Sequence, residues 1–267
     1  MLKQNELIAK VKQLVELDKQ ISACMMYGSF TKGEGDQYSD IEFYVFLKDN
    51  MVSAFDSAKW LYEVAPYSLL YQNEYGTEVV IFENLIRGEF HFLSEMDMKI
   101  IPSFKETGFF PDTKSMFIYD ETGQLEQYLS RLGGSGPKRM TEENVNFLLN
   151  NFSNLWLMGI NVFKRGEYAR SLELLSQFQK NILQLIRIVE ENADNWLNMT
   201  KNLEKEISPE SYEKFRKTTA RLEKSELHEA YKNSLLFIIE LYKLLERRYQ
   251  LTVSNDFFEK LLHYMNE

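Results

Sequence analysis

Apolar residues recur at two different periods along the chain, and the change from one to the other divides it. In the first half the apolar runs are short and bounded by glycine, proline or polar turn residues: 21–27, 41–47, 68–72, 77–82, 89–93 and 115–119. Runs of this length between turn signals predict strands. Helices are expected beside them. Leu7, Ile8, Val11, Leu14, Val15 and Leu17 keep near a 3.6-residue period over 5–18, and Phe55, Ala58, Lys59, Leu61 and Tyr62 do so over 52–64, which Pro66 ends. A further helix is expected over 124–132. Gly133-Gly134-Ser135-Gly136-Pro137 then interrupts all periodicity, because its glycines and serine leave the backbone flexible and its proline blocks helix continuation.

Beyond that break helical spacing takes over, with helices expected at about 141–164, 167–192, 209–221, 225–249 and 254–265. Thr141 can cap the first of them, with Glu142 and Glu143 at its positive end. Phe147, Leu148, Asn151, Leu155 and Met158 form one expected inward stripe; Leu172, Leu175, Phe178, Ile182, Leu185 and Ile186 form another. The fold class is therefore α+β: a mixed sheet with flanking helices over 1–132, followed by an all-α helical bundle over 138–267.

Composition narrows the function. A chain of 267 residues with 44% hydrophobic content divides naturally into two domains of this size. The formal net charge of −9 argues against nucleic acid as partner, because Lys and Arg neutralising phosphates dominate that affinity. No run approaches the ~20 apolar residues needed to span a bilayer, and the N-terminus lacks the apolar stretch of a signal peptide, so a cytoplasmic protein without a membrane partner is expected. The one cysteine, Cys24, falls inside an expected buried strand and reads as a core residue. Leu235-Leu236-Phe237-Ile238-Ile239 is more apolar than one bundle face needs, which suggests either a homodimer or a helix buried on all sides.

The chemistry concentrates between Tyr27 and Phe46. Side chains alternate across a strand, so Asp40 and Glu42 project from one face roughly 6.7 Å apart along it, while Ile41, Phe43 and Val45 face a core. Two carboxylates on one face can share a metal. Gly28-Ser29 follows the preceding strand, where the missing Cβ lets backbone approach a phosphate and the hydroxyl can donate to it. Farther on, Glu89 and His91 share a face of a strand whose other face carries Phe90 and Phe92. His91 by itself reads as a surface or hydrogen-bonded structural histidine. Arg221 and His228 are spaced like an Arg-x-His ribonuclease signature, but the segment around them reads as a solvated charged face.

Gly28-Ser29, ten residues, then Asp40-Ile41-Glu42 and further apolar residues resembles the G-S…D-h-[DE]-h signature of the DNA polymerase beta-like nucleotidyltransferase superfamily. Within it, the length, acidity and helical second half are similar to the antibiotic nucleotidyltransferases, and most to the lincosamide nucleotidyltransferases. The resemblance implies a nucleotidyltransferase catalytic domain at 1–132, with Mg²⁺ held by Asp40 and Glu42 and a third acid on a later strand. Glu89 is the expected third acid, as metal ligand, general base or both, with Glu78 and Glu83 competing for the position. Gly28 and Ser29 would hold the nucleotide phosphates; Lys32 would either reach a phosphate or solubilise its loop.

The activity so implied is transfer of a nucleoside monophosphate, AMP from ATP, to a hydroxyl of a lincosamide antibiotic with release of pyrophosphate. The helical half is expected to help choose the acceptor. An aminoglycoside acceptor suits the acidic balance equally well. A nucleotidyltransferase-type antitoxin that modifies a protein is a third reading, against which the attached bundle counts, and a catalytically dead interaction module is disfavoured by the retained Asp40 and Glu42.

Overall fold

The computed structural model describes residues 2–266 and separates into two units, Met1–Pro137 and Lys138–Glu267. The first unit opens with α1 (Lys3–Leu17), whose Leu7, Ile8, Val11 and Val15 are buried. It continues through β1 (Ile21–Tyr27), a 3-10 turn (Ser29–Lys32), β2 (Ile41–Leu47), α2 (Ser57–Val64), β3 (Tyr67–Gln72), β4 (Glu78–Phe82) and β5 (Arg87–Ser94). A 3-10 run (Glu95–Glu106), β6 (Phe117–Asp120) and α3 (Leu125–Leu132) complete it.

The strands form one six-stranded sheet in the order β3-β4-β5-β2-β1-β6. β2 and β5 run parallel, and the other neighbours are antiparallel. Both faces are covered. Ile41, Phe43, Val45 and Phe90 pack beneath α1 and α2 on one side; Ala23, Met25 and Phe46 meet Met98, Ile101, Leu125 and Leu129 on the other. Cys24 is buried in the first of these cores, and burial pushes its thiol well above the ordinary range.

Two parts of this unit differ from the sequence reading. α2 begins at Ser57 rather than near 52, because the Asp56 carboxylate accepts from the Lys59 amide at 2.9 Å and fixes the first turn there. Its buried side chains are Trp60, Leu61 and Val64, while Tyr62 is exposed. The run over 95–106 carries no expected element; Pro102 inside it lacks an N–H, and the segment takes the tighter 3-10 form.

The second unit is helical: α4 (Glu142–Lys164), α5 (Tyr168–Val189), α6 (Leu203–Glu206), α7 (Pro209–Arg216), α8 (Lys224–Leu245) and α9 (Asn255–Asn266). Thr141 caps α4 by accepting from the Asn144 amide at 3.2 Å. The buried stripe of α4 is Val145, Leu148, Leu149, Phe152, Trp156, Ile160 and Phe163. Phe147 and Met158, expected inside, are 63% and 40% exposed, because this stripe turns their positions to the opposite side of the helix. The stripe of α5 lies as expected, with Leu175, Phe178, Ile182, Leu185 and Ile186 buried.

Three helices lock together through one tyrosine. Trp156 Nε1 donates to the Tyr231 carbonyl at 2.9 Å, and the Tyr231 hydroxyl donates to the Ser171 carbonyl at 2.8 Å. Gly159 makes room, since a Cβ there would overlap that hydroxyl. In the apolar run of α8, Leu235, Phe237, Ile238 and Ile239 are buried in the unit's own core and Leu236 is 39% exposed, so the core accounts for the run. Among the described residues, no helix is long and apolar enough to cross a membrane.

Candidate active site

Sheet register brings the chemistry to one end of the central strands. Antiparallel pairing sets Tyr27, the last residue of β1, opposite Glu42, and parallel pairing sets Glu42 beside Glu89. Because Tyr27 and Glu42, then Glu42 and Glu89, are direct partners, the Gly28 turn, the start of β2 and the start of β5 converge. Alternation puts Glu42 and Tyr44 with Glu89 and His91 on the face opposite Phe43 and Phe90. Asp40 stands one residue ahead of β2, half-buried.

Gly28 has φ 82° and ψ −156°, a region that is essentially glycine's alone. A Cβ at this position would overlap the Glu42 carboxylate, so the glycine is what allows that carboxylate to lie against the turn. The turn is tied down by Thr31, whose hydroxyl donates to the Gly28 carbonyl at 2.8 Å, and by the Glu34 amide, which donates to the Ser29 carbonyl at 3.0 Å. The Ser29 hydroxyl oxygen is itself buried and has no hydrogen-bond partner among the described residues. A buried hydroxyl left unmatched is costly and signals a missing partner. Lys32, at the end of the same turn, is exposed.

Glu89 is held from two sides. Arg87, two residues earlier on the same face, donates through Nη1 to Asp40 Oδ2 at 2.7 Å and through Nη2 to Glu89 Oε1. Burial works against the Arg87 charge, yet Glu89 and Asp40 outweigh it and hold the guanidinium more firmly protonated than usual. On the other side the Tyr27 hydroxyl lies 3.3 Å from Glu89 Oε2 and 3.0 Å from His91 Nε2. Burial, then the charges of Glu42 and Glu89, push the Tyr27 phenol far above its ordinary range, so it remains a donor. One hydroxyl proton serves Glu89 if His91 Nε2–H donates to the Tyr27 oxygen, which leaves His91 Nδ1 to accept from Thr77 Oγ1 at 3.5 Å.

The His91 ring is stacked on Tyr44, with centroids 4.1 Å apart and planes 5° off parallel. Burial holds its imidazole below the ordinary range against the opposing pull of Glu89. Burial also pushes the Tyr44 phenol up to about 12, with Glu89 and Glu42 adding to the rise.

Of the expected site residues, Gly28, Glu42 and Glu89 stand together, Asp40 joins them through Arg87, and Ser29 lies in the adjoining turn. The two competitors of Glu89 lie elsewhere. Glu78 pairs across the sheet with Phe90 and accepts from Ser57 at the start of α2, while Glu83 is exposed in the turn after β4. Arg221, 82% exposed and paired with Glu226, and His228, beside Glu229, sit on the surface of the helical unit. Arg87 and Tyr27 were not singled out from the sequence. The alternation that joins Glu89 to His91 reaches Arg87 one step earlier; Tyr27 depends on strand order, which the sequence alone does not supply.

The donor chemistry suits a hard cation. Asp40, Glu42 and Glu89 offer carboxylate oxygens of the kind Mg²⁺ prefers, and the unmatched Ser29 hydroxyl leaves a donor available to a polar group at the adjoining turn. Among the described residues, however, no three His, Cys, Asp or Glu side chains are gathered tightly enough to enclose a metal. Arg87 instead bridges Asp40 and Glu89.

Known proteins place the second half of the chain. Residues 141–264 match the family model described as lincosamide nucleotidyltransferase-like, C-terminal domain. No curated protein matches the sequence. Among solved structures, an aminoglycoside 6-adenyltransferase from Bacillus subtilis aligns over 98% of this chain and 95% of its own, at 11% identity and a TM-score of 0.46. A nucleotidyltransferase-like protein from Exiguobacterium sibiricum 255-15 aligns over 92% and 75%, at 12% identity and a TM-score of 0.36. A CCA-adding enzyme in complex with CTP aligns over 98% and 81%, at 12% identity and a TM-score of 0.32.

Proposed function

We propose that this chain, whose residues 141–264 match the family model described as lincosamide nucleotidyltransferase-like, C-terminal domain, transfers a nucleoside monophosphate from ATP to a hydroxyl of a lincosamide antibiotic. The observation that carries the reading is the juxtaposition of the Gly28 turn, Glu42 and Glu89 at one end of the sheet, with the unmatched Ser29 hydroxyl beside them.

In the proposed reaction the acceptor oxygen forms a bond to the α-phosphorus while the bond from that phosphorus to the bridging oxygen breaks, and pyrophosphate leaves with the electron pair. Negative charge develops on the phosphoryl oxygens and the leaving group. Asp40 and Glu42, with Glu89, would hold Mg²⁺, whose chemistry when bound is to stabilise that charge. Ser29 and the backbone at Gly28 would bind the β- and γ-phosphates, the serine hydroxyl gaining the partner it lacks. Glu89, oriented by the Tyr27 hydroxyl, would take the acceptor's proton.

The experiment is site-directed. Asp40→Asn and Glu42→Gln should each abolish nucleotidyl transfer while circular dichroism and melting temperature stay near wild type. Near-normal turnover by either variant in saturating Mg²⁺ would remove the assignment.

A further inference from the structure

Alternation along β5 places Arg87 on the face that carries Glu89, at the start of the strand. Its guanidinium bridges Asp40, at 2.7 Å, and Glu89. A guanidinium is planar, holds its charge at every working pH and offers its donors as a fork, so one side chain can satisfy two carboxylates that would otherwise repel each other. The side chain of Arg87 is 42% exposed, against 34% for Asp40 and 22% for Glu89, so it is the most solvent-accessible of the three and is free to swing away from them.

We propose that Arg87 is the resident cation of the ligand-free site: it holds Asp40 and Glu89 until a divalent metal and a nucleoside triphosphate arrive together, and then exchanges the carboxylates for phosphate oxygens. The inference rests on the nucleotidyl transfer reading above. A metal ion alone meets carboxylates that are already neutralised and has to displace a cation that gains nothing by moving. A triphosphate changes the balance, because arginine binds phosphate oxygens with the same bidentate geometry it uses on carboxylates. Metal and nucleotide therefore assist each other's binding, and by linkage the assistance is reciprocal. Arg87 is a positioning residue before the reaction and a phosphate contact during it.

The test is Mn²⁺ binding, followed by electron paramagnetic resonance, to wild type, Arg87→Met and Arg87→Lys, with and without the α,β-methylene analogue of ATP. Without nucleotide, Arg87→Met should bind Mn²⁺ about tenfold more tightly than wild type, the effect of removing one close, partly exposed cation. With the analogue that advantage should vanish, and the gain in Mn²⁺ affinity that the analogue confers should be largest in wild type. Arg87→Lys, which keeps a cation but not the fork, should fall between the two. Equal or weaker Mn²⁺ binding by a natively folded Arg87→Met would overturn the inference while leaving the transfer reading intact. If wild type binds no Mn²⁺ even with the analogue, both fall; a misfolded Arg87→Met shifts the decision to Arg87→Lys, where affinity equal to wild type in both conditions counts against the inference.

Discussion

A single methyl group at Gly28 separates the candidate site from an ordinary hairpin end. Gly28→Ala would force a side chain into a backbone region that costs on the order of 1–3 kcal/mol and into the volume of the Glu42 carboxylate. Lowered melting temperature together with lost transfer is expected, and unchanged values of both would show that Glu42 does not need the turn. Ser29 gives the opposite signature. Its hydroxyl has no hydrogen bond to lose, so Ser29→Ala should leave thermal stability within error while weakening triphosphate binding in calorimetry. Glu89→Gln should keep nucleotide affinity near wild type and lose about 10²–10⁴ in single-turnover rate if the carboxylate serves as base. Equal loss of affinity in Glu89→Gln and Asp40→Asn would make it a metal ligand instead.

At this scale the Gly28 turn and the shared face of Glu89 and His91 are readable from turn chemistry and from alternation, whereas Asp40 lies ahead of β2 and meets Arg87. Arg87 was within reach of the same rule. The link from Tyr27 to Glu89 crosses 62 residues and two strand pairings, so local pattern carries no trace of it.

Among the elements, the segment after α5 shows a fully buried cation put to structural use. Arg187 donates to the carbonyls of Met199, Asn192 and Lys201 at 3.0, 3.4 and 2.9 Å and pairs with Glu206 at 2.7 Å, pinning residues 190–206 to the helix. Arg187→Met should destabilise the helical unit by about 3–5 kcal/mol, because it removes a fully buried cation and leaves three partly buried carbonyls and a carboxylate without their donor at once. Burial would raise the Glu206 pKa, but hydrogen bonds from Asn195 and Arg187 outweigh it and hold the carboxyl below the usual range. A depressed folded value adds stability above the ordinary glutamate range and loses it as pH falls through the folded value. The melting difference between wild type and Glu206→Gln should accordingly be full at neutral pH and shrink on acidification; a difference independent of pH would contradict this account.

Periodicity found the helices and strands but not always their orientation. In α4, Phe147 and Met158 are as apolar as the residues that do face inward, so the sequence offers two overlapping stripes, and only packing against α5 and α8 selects one. α2 is shorter than its apolar spacing predicts, because that spacing begins upstream of the Asp56 cap that starts the helix. The 3-10 run over 95–106 leaves no signal at either period, because it has three residues per turn.

For the whole molecule, the glycine-rich break at 133–137 coincides with the division between the two units. Each has its own core: the apolar cluster of the helical unit lies entirely within residues 145–265. Residues 138–267 expressed alone should therefore be helical by circular dichroism and unfold in one cooperative transition, whereas a chain without cooperative melting would deny that independence. The acceptor was not legible at any scale. Net charge and aromatic content suit a lincosamide and an aminoglycoside alike, since acceptor choice depends on the shape and polarity of a pocket rather than on totals.

Nucleotidyl transfer to a small antibiotic is tested most directly by mass spectrometry of the acceptor. Full-length protein incubated with Mg²⁺, ATP and a panel of lincosamides and aminoglycosides should add one adenosine monophosphate to a lincosamide and release an equal amount of pyrophosphate, with Asp40→Asn giving neither. Modification of an aminoglycoside alone would keep the reaction and change the acceptor. An unmodified panel with every nucleoside triphosphate, from protein whose melting curve shows it folded, would contradict the account.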